Sequence, residues 1–358
     1  MTPDALTAVR DRTNCTLAGV RQAVIVHRGP PDVIQIREAP DPVPGPGEVR
    51  IAVRAAGVNF ADVMARLGLY PDAPPLPAVV GYEVAGVVDA VGAAVTGFRA
   101  GDRVLALTRF GGYATSVVVP ATQAFAIPPQ LTDIEAAAVP VNYLTASIAL
   151  YRLANVDAGD TVLVYGAGGG VGIAATQLAK LRQAIVIGTA STSKIDAIRA
   201  LGVDHAVDHQ RQDIAAEVRR LTSGRGADVI LDPIGGRQFT ISYNLLAPLG
   251  RLVVYGVSSL AAGERRSLWR AVRTLIGMPA FRPLSLMNRN RGVLGLNLGH
   301  LWGEGRQIRA AMDMILREVS AGRLRPVVAR TFPLDRASDA HRYLQSRANI
   351  GKVVLTDV

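Results

Sequence analysis

The run Thr161-Val-Leu-Val-Tyr-Gly-Ala-Gly-Gly-Gly-Val-Gly172 constrains the fold more than any other stretch of this chain. Its apolar, β-branched start reads as a buried strand, its glycines as a tight turn, and Ile173 to Leu181 as a helix. A plain strand-to-helix turn also needs glycines. Here, however, the strand before and the helix after aim free backbone N–H groups and the positive helix end at one point, which suits a pyrophosphate. Ala167, Gly168, Gly169, Gly170, Val171 and Gly172 are therefore candidate cofactor-binding residues.

Around that run the texture is strand, helix, strand. After Asn142, short β-branched runs at Ala184 to Thr189, Asp228 to Asp232 and Arg251 to Tyr255 alternate with helix-length segments. That is the pattern of a parallel sheet covered on both faces. From Arg21 to about Gln130 the period is two instead. Val49, Ile51 and Val53 alternate with Arg50, Ala52 and Arg54, and turn formers such as Pro44-Gly-Pro-Gly47 and Gly111-Gly112 punctuate the runs. Beyond about Gly305 a helix, Ile308 to Glu318, leads to two strand-like pieces, Pro326 to Phe332 and Gly351 to Leu355, which are expected to rejoin the first unit. A length of 358 residues accommodates two domains sharing a cleft. The expected division is a flexible extension over 1–20, a β-rich domain from 21–140 and 307–358, and a sheet domain over 141–306.

Composition narrows the class. With 49% apolar and 19% charged residues the chain is neither disordered nor collagen-like. Cys15 stands alone, so no intramolecular disulfide forms and no zinc site of several cysteines can be assembled. The cytosol fits best, because the first twenty residues carry Asp4, Arg10, Asp11 and Arg12 and no continuous apolar core. Leu76 to Phe98 is the most apolar long stretch, but Glu83, Asp89 and several glycines interrupt it, so it suits strands rather than lipid. The formal charge of +10 comes from scattered arginines without interleaved aromatics. A polyanionic cofactor accounts for it as well as nucleic acid does.

The choice of dinucleotide falls at the end of the next strand, where an NAD site places Asp or Glu on the ribose hydroxyls. This chain runs there into Gly188-Thr-Ala-Ser-Thr-Ser-Lys194. Thr189, Ser191 and Ser193 supply hydroxyls, and Lys194, one of three lysines in the chain, supplies a cation suited to the 2′-phosphate of NADP(H). Lys194 also reads as a solvated residue at a helix start. Tyr255, Gly256 and Val257, at the end of one sheet strand, and Leu296 and Asn297, at the end of the last, fall where such sheets keep their cofactor crevice.

Together with Gly57-Val-Asn-Phe-Ala-Asp-Val-Met-Ala-Arg-Leu-Gly-Leu-Tyr-Pro71, Asp232-Pro-Ile-Gly-Gly236 and the closing Gly351-Lys-Val-Val-Leu355, these features resemble the zinc-independent quinone oxidoreductase branch of the medium-chain dehydrogenase/reductase superfamily, from about Arg21 to the C-terminus. Within that branch, Asn142-Tyr-Leu-Thr145, Tyr243-Asn-Leu-Leu-Ala-Pro-Leu-Gly250 and the long segment from Ser258 to Asn290 look similar to homologues of the synaptic vesicle amine-transport protein. The resemblance implies an α/β fold, with a Rossmann-type doubly wound parallel sheet domain beside a GroES-like β-barrel substrate domain. It also implies NADPH-dependent hydride transfer to a quinone or α,β-unsaturated carbonyl, and a homodimer paired through the last sheet strand, Val293 to Leu298. Two alternatives stay open: an enoyl-thioester reductase of lipid or polyketide metabolism, with Tyr70 protonating the carbon next to the carbonyl, and a non-catalytic NADPH-binding scaffold or membrane adaptor.

Zinc-dependent relatives carry a cysteine near the first of these motifs and a histidine in a Gly-His-Glu sequence, where this chain has Asn59 and Gly81-Tyr82-Glu83. The expectation is therefore no catalytic zinc and direct hydride delivery to an electron-poor acceptor. By resemblance Asn59 and Tyr70 face the nicotinamide and the substrate carbonyl, and Thr145 lies near the nicotinamide carboxamide. Each has a plainer reading. Asn59-Phe-Ala-Asp62 is a capping arrangement for a helix reaching Arg66, Tyr70 is a half-buried aromatic beside Pro71, and Thr145 opens a helix. His209 stands where many relatives have a tyrosine close to the adenosine phosphate. In Arg265 to Gly277, Leu268, Val272, Leu275 and Ile276 share one helical face and Arg266, Arg270 and Arg273 another. That stretch reads as a surface helix packed on the domain, as a flap over the substrate, or as a membrane-surface contact.

Overall fold

A computed structural model describes residues 19–261, 263–264 and 267–358. The expected N-terminal extension lies outside the described residues except for Gly19 and Val20, as do Cys15, Arg265 and Arg266. Val20 is already the first residue of a strand.

The first lobe carries β1 (Val20–Ile25), β2 (Ile34–Ala39), β3 (Glu48–Val58), helix α1 (Phe60–Arg66), β4 (Ala78–Val79), β5 (Glu83–Val91), β6 (Arg103–Leu107), β7 (Ser116–Pro120) and β8 (Ala124–Ala126). Alternation places its core. Val49, Ile51 and Val53 of β3 are buried, while Arg50 and Ala52 are half-buried and Arg54 is exposed. β3 pairs antiparallel with β5 and β7. Helices α2 (Asp133–Ala136) and α3 (Pro140–Ser147) then carry the chain into the second lobe.

That lobe consists of β9 (Thr161–Val164), α4 (Gly170–Leu181), β10 (Ile185–Ala190), α5 (Ile195–Ala200), β11 (His205–Asp208), α6 (Ile214–Leu221), β12 (Ala227–Asp232), α7 (Gln238–Asn244), β13 (Leu246–Val254), α8 (Leu268–Ile276), α9 (Pro283–Arg289) and β14 (Gly292–Gly295). Its six strands are all parallel, in the order β11-β10-β9-β12-β13-β14. Counted within the lobe this is 3-2-1-4-5-6, the doubly wound Rossmann order, and the winding reverses between β9 and β12. In such sheets the ligand crevice lies outside the carboxyl ends of those two strands.

Helix α10 (Gly305–Ser320) buries Ile308, Met312 and Ile315 in the core that it shares with α3, so the expected division at 307 falls inside this helix. The last elements, β15 (Val328–Pro333), α11 (Ala337–Gln345) and β16 (Lys352–Thr356), return to the first lobe, as the sequence implies. β16 pairs antiparallel with β3 and completes a seven-stranded sheet. β14 is shorter than the run from Val293 to Leu298, because Asn297 Oδ1 accepts the Gly299 N–H and turns the chain into a 3₁₀ turn. On α8 the packing is not through the apolar face. Ala271 and Thr274 are buried, whereas Val272, Leu275 and Ile276 are exposed beside Arg270 and Arg273. Among the described residues no helix is long and apolar enough to cross a membrane.

Candidate active site

The glycine run forms the floor of the crevice. Gly166 takes a φ of 65°, which a side chain would strain, and a Cβ on Gly172 would stand 2.3 Å from the Gly166 carbonyl oxygen. These two glycines let α4 start directly against the end of β9. Gly169 is the N-cap of α4 and no side chain caps it, so the first-turn N–H groups of Gly170, Val171 and Gly172 are left for an anion. The residues thus fit a dinucleotide pyrophosphate. Thr189 sits behind this loop rather than in the crevice: it is buried, its Oγ1 accepts the Gly166 N–H at 3.3 Å, and its carbonyl accepts the Ala167 N–H at 3.0 Å.

Ser191, Ser193 and Lys194 leave the end of β10 next to His209, which leaves the end of the adjacent β11. Ser193 and His209 are exposed, and the Ser191 and Ser193 hydroxyls lie 3.5 Å apart. Lys194 is not simply solvated. Its ammonium donates to the Asn349 carbonyl at 2.6 Å, tying the second lobe to the loop before β16. Burial, and then the Arg347 guanidinium nearby, hold its pKa below the usual value. Two cations beside two serine hydroxyls fit a phosphate monoester. Nothing near Arg347 in the sequence signalled it, because the contact joins residues about 150 positions apart.

Across the crevice, Tyr255, Gly256 and Val257 follow β13, and the Ser258 N–H donates to the Pro233 carbonyl at 2.8 Å, closing the loop. Asp232 serves this loop from beneath. It is buried, takes 2.6 Å and 2.7 Å hydrogen bonds from Ser242 Oγ and the Ile234 N–H, and burial raises its pKa. Leu296 donates its N–H to the Val254 carbonyl at 2.9 Å.

The first lobe contributes two polar clusters. In the buried one, Lys352 Nζ pairs with Glu83 and donates to Asn59 Oδ1 at 2.6 Å. Asn59 Nδ2 donates to Glu83 Oε1 at 3.0 Å, and the Val141 N–H donates to Glu83 Oε2 at 2.7 Å. The Asn59 amide is thus engaged by this pair at both ends. Asp62 completes the expected cap by accepting the Asn59 N–H at 2.8 Å, together with the Tyr113 hydroxyl at 3.0 Å and the Gly81 N–H at 3.1 Å. Sequence reasoning missed Lys352, although a lysine directly before Val-Val-Leu in a chain with three lysines was a usable signal.

The second cluster spans the lobes. Tyr70 donates its hydroxyl to Asn297 Oδ1 at 3.5 Å, and His300 Nε2 bonds Asp72 Oδ2 at 2.7 Å, so the loop after α1 meets the turn after β14. Tyr70 is half-buried, its ring edge-on to that of Tyr82. Thr145 is buried on α3. The neighbouring Asn142 packs on the α4 start, where a Cβ on Gly170 would stand 2.4 Å from its Nδ2. The structure therefore brings Tyr70 to Asn297, and Lys352 rather than Tyr70 to Asn59.

Glu83 is spent on Lys352, Asn59 and Val141, and among the described residues no three His, Cys, Asp or Glu side chains stand together as ligands.

Residues 45–129 match the family model of the alcohol dehydrogenase GroES-like domain, and residues 201–355 match that of the zinc-binding dehydrogenase. The human synaptic vesicle membrane protein VAT-1 homolog is 42% identical over 323 residues, which is 90% of this chain and 82% of that protein. Among solved structures, a mycobacterial protein complexed with NADPH aligns with a TM-score of 0.83 at 31% identity, over 94% of this chain and 99% of that one. The CurK enoyl reductase aligns with a TM-score of 0.82 at 27% identity, over 94% and 99%.

Proposed function

Since this chain belongs to the medium-chain dehydrogenase/reductase superfamily, among the VAT-1 homologues, we propose that it is a zinc-independent, NADPH-dependent oxidoreductase that passes hydride to a quinone or an α,β-unsaturated carbonyl. The observation that supports this best is Tyr70, a phenol held in the cleft between the lobes within 3.5 Å of Asn297 at the cofactor end of the sheet. NADPH, when bound, supplies the hydride. The chain's own residues do the rest. The α4 start and the Ser191–Lys194 corner hold the phosphates, Asn59 and Thr145 shape the nicotinamide side of the cleft, and Tyr70 gives a hydrogen bond or proton to the acceptor. Burial keeps the Tyr70 phenol above its usual pKa, so it is protonated at working pH. The likeness to an enoyl reductase supports an enone or enoyl thioester as acceptor over a simple quinone.

A panel of quinones, enones and enoyl thioesters with NADPH tests this reading. Tyr70→Phe should lower enone or enoyl-thioester turnover about a hundred- to ten-thousandfold, the usual contribution of a positioned acid. A benzoquinone, whose hydroquinone anion is stable, should lose little. Full enone turnover in a folded Tyr70→Phe variant that still binds NADPH refutes the assignment.

A second activity is supported by α8 and α9, where Trp269, Ile276, Leu284 and Met287 are exposed among Arg270, Arg273, Arg282 and Arg289. Apolar side chains ringed by arginines suit an anionic membrane surface, and the human relative is named a vesicle membrane protein. Sedimentation with phosphatidylserine vesicles, lost in Trp269→Ser/Ile276→Ser, is the check.

A further inference from the structure

Tyr82 is held on every side but one. Its carbonyl accepts the Thr108 N–H at 2.8 Å, the preceding Gly81 carbonyl accepts Thr108 Oγ1 at 2.7 Å, and the following residue, Glu83, is locked to Lys352. Its ring packs against Phe110, with centroids 5.1 Å apart, and stands edge-to-face on Tyr70, with centroids 6.2 Å apart and planes at 86°. The residue is 6% exposed, yet its hydroxyl has no hydrogen-bond partner. A buried donor left in this state is unfavourable. Tyr70, next to it, is weakly held in turn. Its 3.5 Å contact to Asn297 is long for an O–H···O bond, which normally sits near 2.7–2.8 Å.

We propose that Tyr82 is a positioning residue for Tyr70, its free hydroxyl donating to the Tyr70 oxygen as Tyr70 leaves Asn297 for the acceptor and gives up its proton. This rests on Tyr70 being the acid of the proposed reaction. In that step hydride from NADPH adds to the β-carbon of the enone, and the electron pair of the carbon–carbon double bond takes the Tyr70 proton at the α-carbon. The O–H bond pair stays on the Tyr70 oxygen, and water returns a proton afterwards. NADPH is oxidised and the double bond reduced. An isolated phenolate in a half-buried cleft is unfavourable, and a fixed donor beside it offsets that. In line with this, burial, the largest influence on it, raises the Tyr70 pKa.

The test is Tyr82→Phe, which keeps the ring and its packing on Phe110 and Tyr70. The enone kcat should fall roughly ten- to a hundredfold, the value of a hydrogen bond to a charged oxygen. KM, NADPH affinity and benzoquinone turnover should stay as in the parent, the melting temperature should hold or rise because an unpartnered buried hydroxyl is gone, and Tyr82→His, which keeps a ring donor, should recover part of the rate. In a Tyr70→Phe background, Tyr82→Phe should add nothing. An equal loss in both backgrounds, or full enone turnover where Tyr70→Phe is impaired, overturns the role of Tyr82 alone. If Tyr70→Phe itself keeps enone turnover, the reading of Tyr70 as acid falls and this proposal with it.

Discussion

Replacing Lys352 by Met keeps the methylene volume and removes only the ammonium, and the structure says what that leaves behind. Glu83 and Lys352 are 0% and 3% exposed at their side chains. Without Lys352, Glu83 would be a buried carboxylate held by two neutral donors, Asn59 Nδ2 and the Val141 N–H, and Asn59 Oδ1 would lose its partner. Removing one member of a buried pair typically costs about 3–5 kcal/mol. At roughly 2–4 °C per kcal/mol for a domain of this size, the melting temperature should drop by about 6–20 °C. Glu83→Gln added to Lys352→Met should recover more than half of the loss, since no charge then remains buried. Thermal unfolding of the parent, both single variants and the double variant decides it. A Lys352→Met loss below about 1 kcal/mol, or a loss that the added Glu83→Gln deepens, refutes the view that this pair is an interdependent buried charge cluster.

Other predictions rest on separate observations. Lys194→Ala should weaken NADPH roughly ten- to a hundredfold and leave NADH nearly unchanged, as for a lost charge-assisted contact to a phosphate, and titration with both cofactors shows whether the losses differ. His341 is fully buried, and burial first, then the Arg66 guanidinium, lower its pKa to about 3. The unfolded chain therefore binds more protons than the fold below pH 6.5, and stability is lost as pH falls from there. Relative to the parent, His341→Gln should gain up to about 2 kcal/mol on going from pH 7 to pH 5, read from denaturant midpoints. Among the described residues the outer edge of β14 has no strand against it, so a homodimer is expected, and light scattering giving 37.8 kDa at micromolar concentration would remove it.

The cofactor lobe was legible in the sequence because its determinants are local. Strand, glycine turn and helix follow one another between Thr161 and Leu181, and period and turn chemistry within such a window specify both the element and the place where its N–H groups point. The same holds for β3, whose alternation announced its buried face. Helix α8 shows where local pattern misleads: its apolar stripe predicts a buried face, but the helix packs instead through Ala271, beside Val63 and Met64 of α1 and beside Leu67 and Leu260, and through Thr274, next to Gly236.

Polar pairing across long sequence separations was decided by tertiary structure. Lys352 and Glu83 are 269 positions apart, His300 and Asp72 are 228, and Tyr70 and Asn297 are 227. No periodicity links such residues. They meet because β16 returns to pair with β3, and because the winding of the parallel sheet carries β14 to its edge. A side chain's electrostatic partners depend on which backbone segments lie within a few ångströms, and the sequence alone carries that distance only through the whole fold. The residue types at Asn59, Glu83 and Lys352 were therefore set by the sequence, whereas their joining into one buried cluster, with the Asn59 amide drawn into it, was settled by the packing of the first lobe around β3.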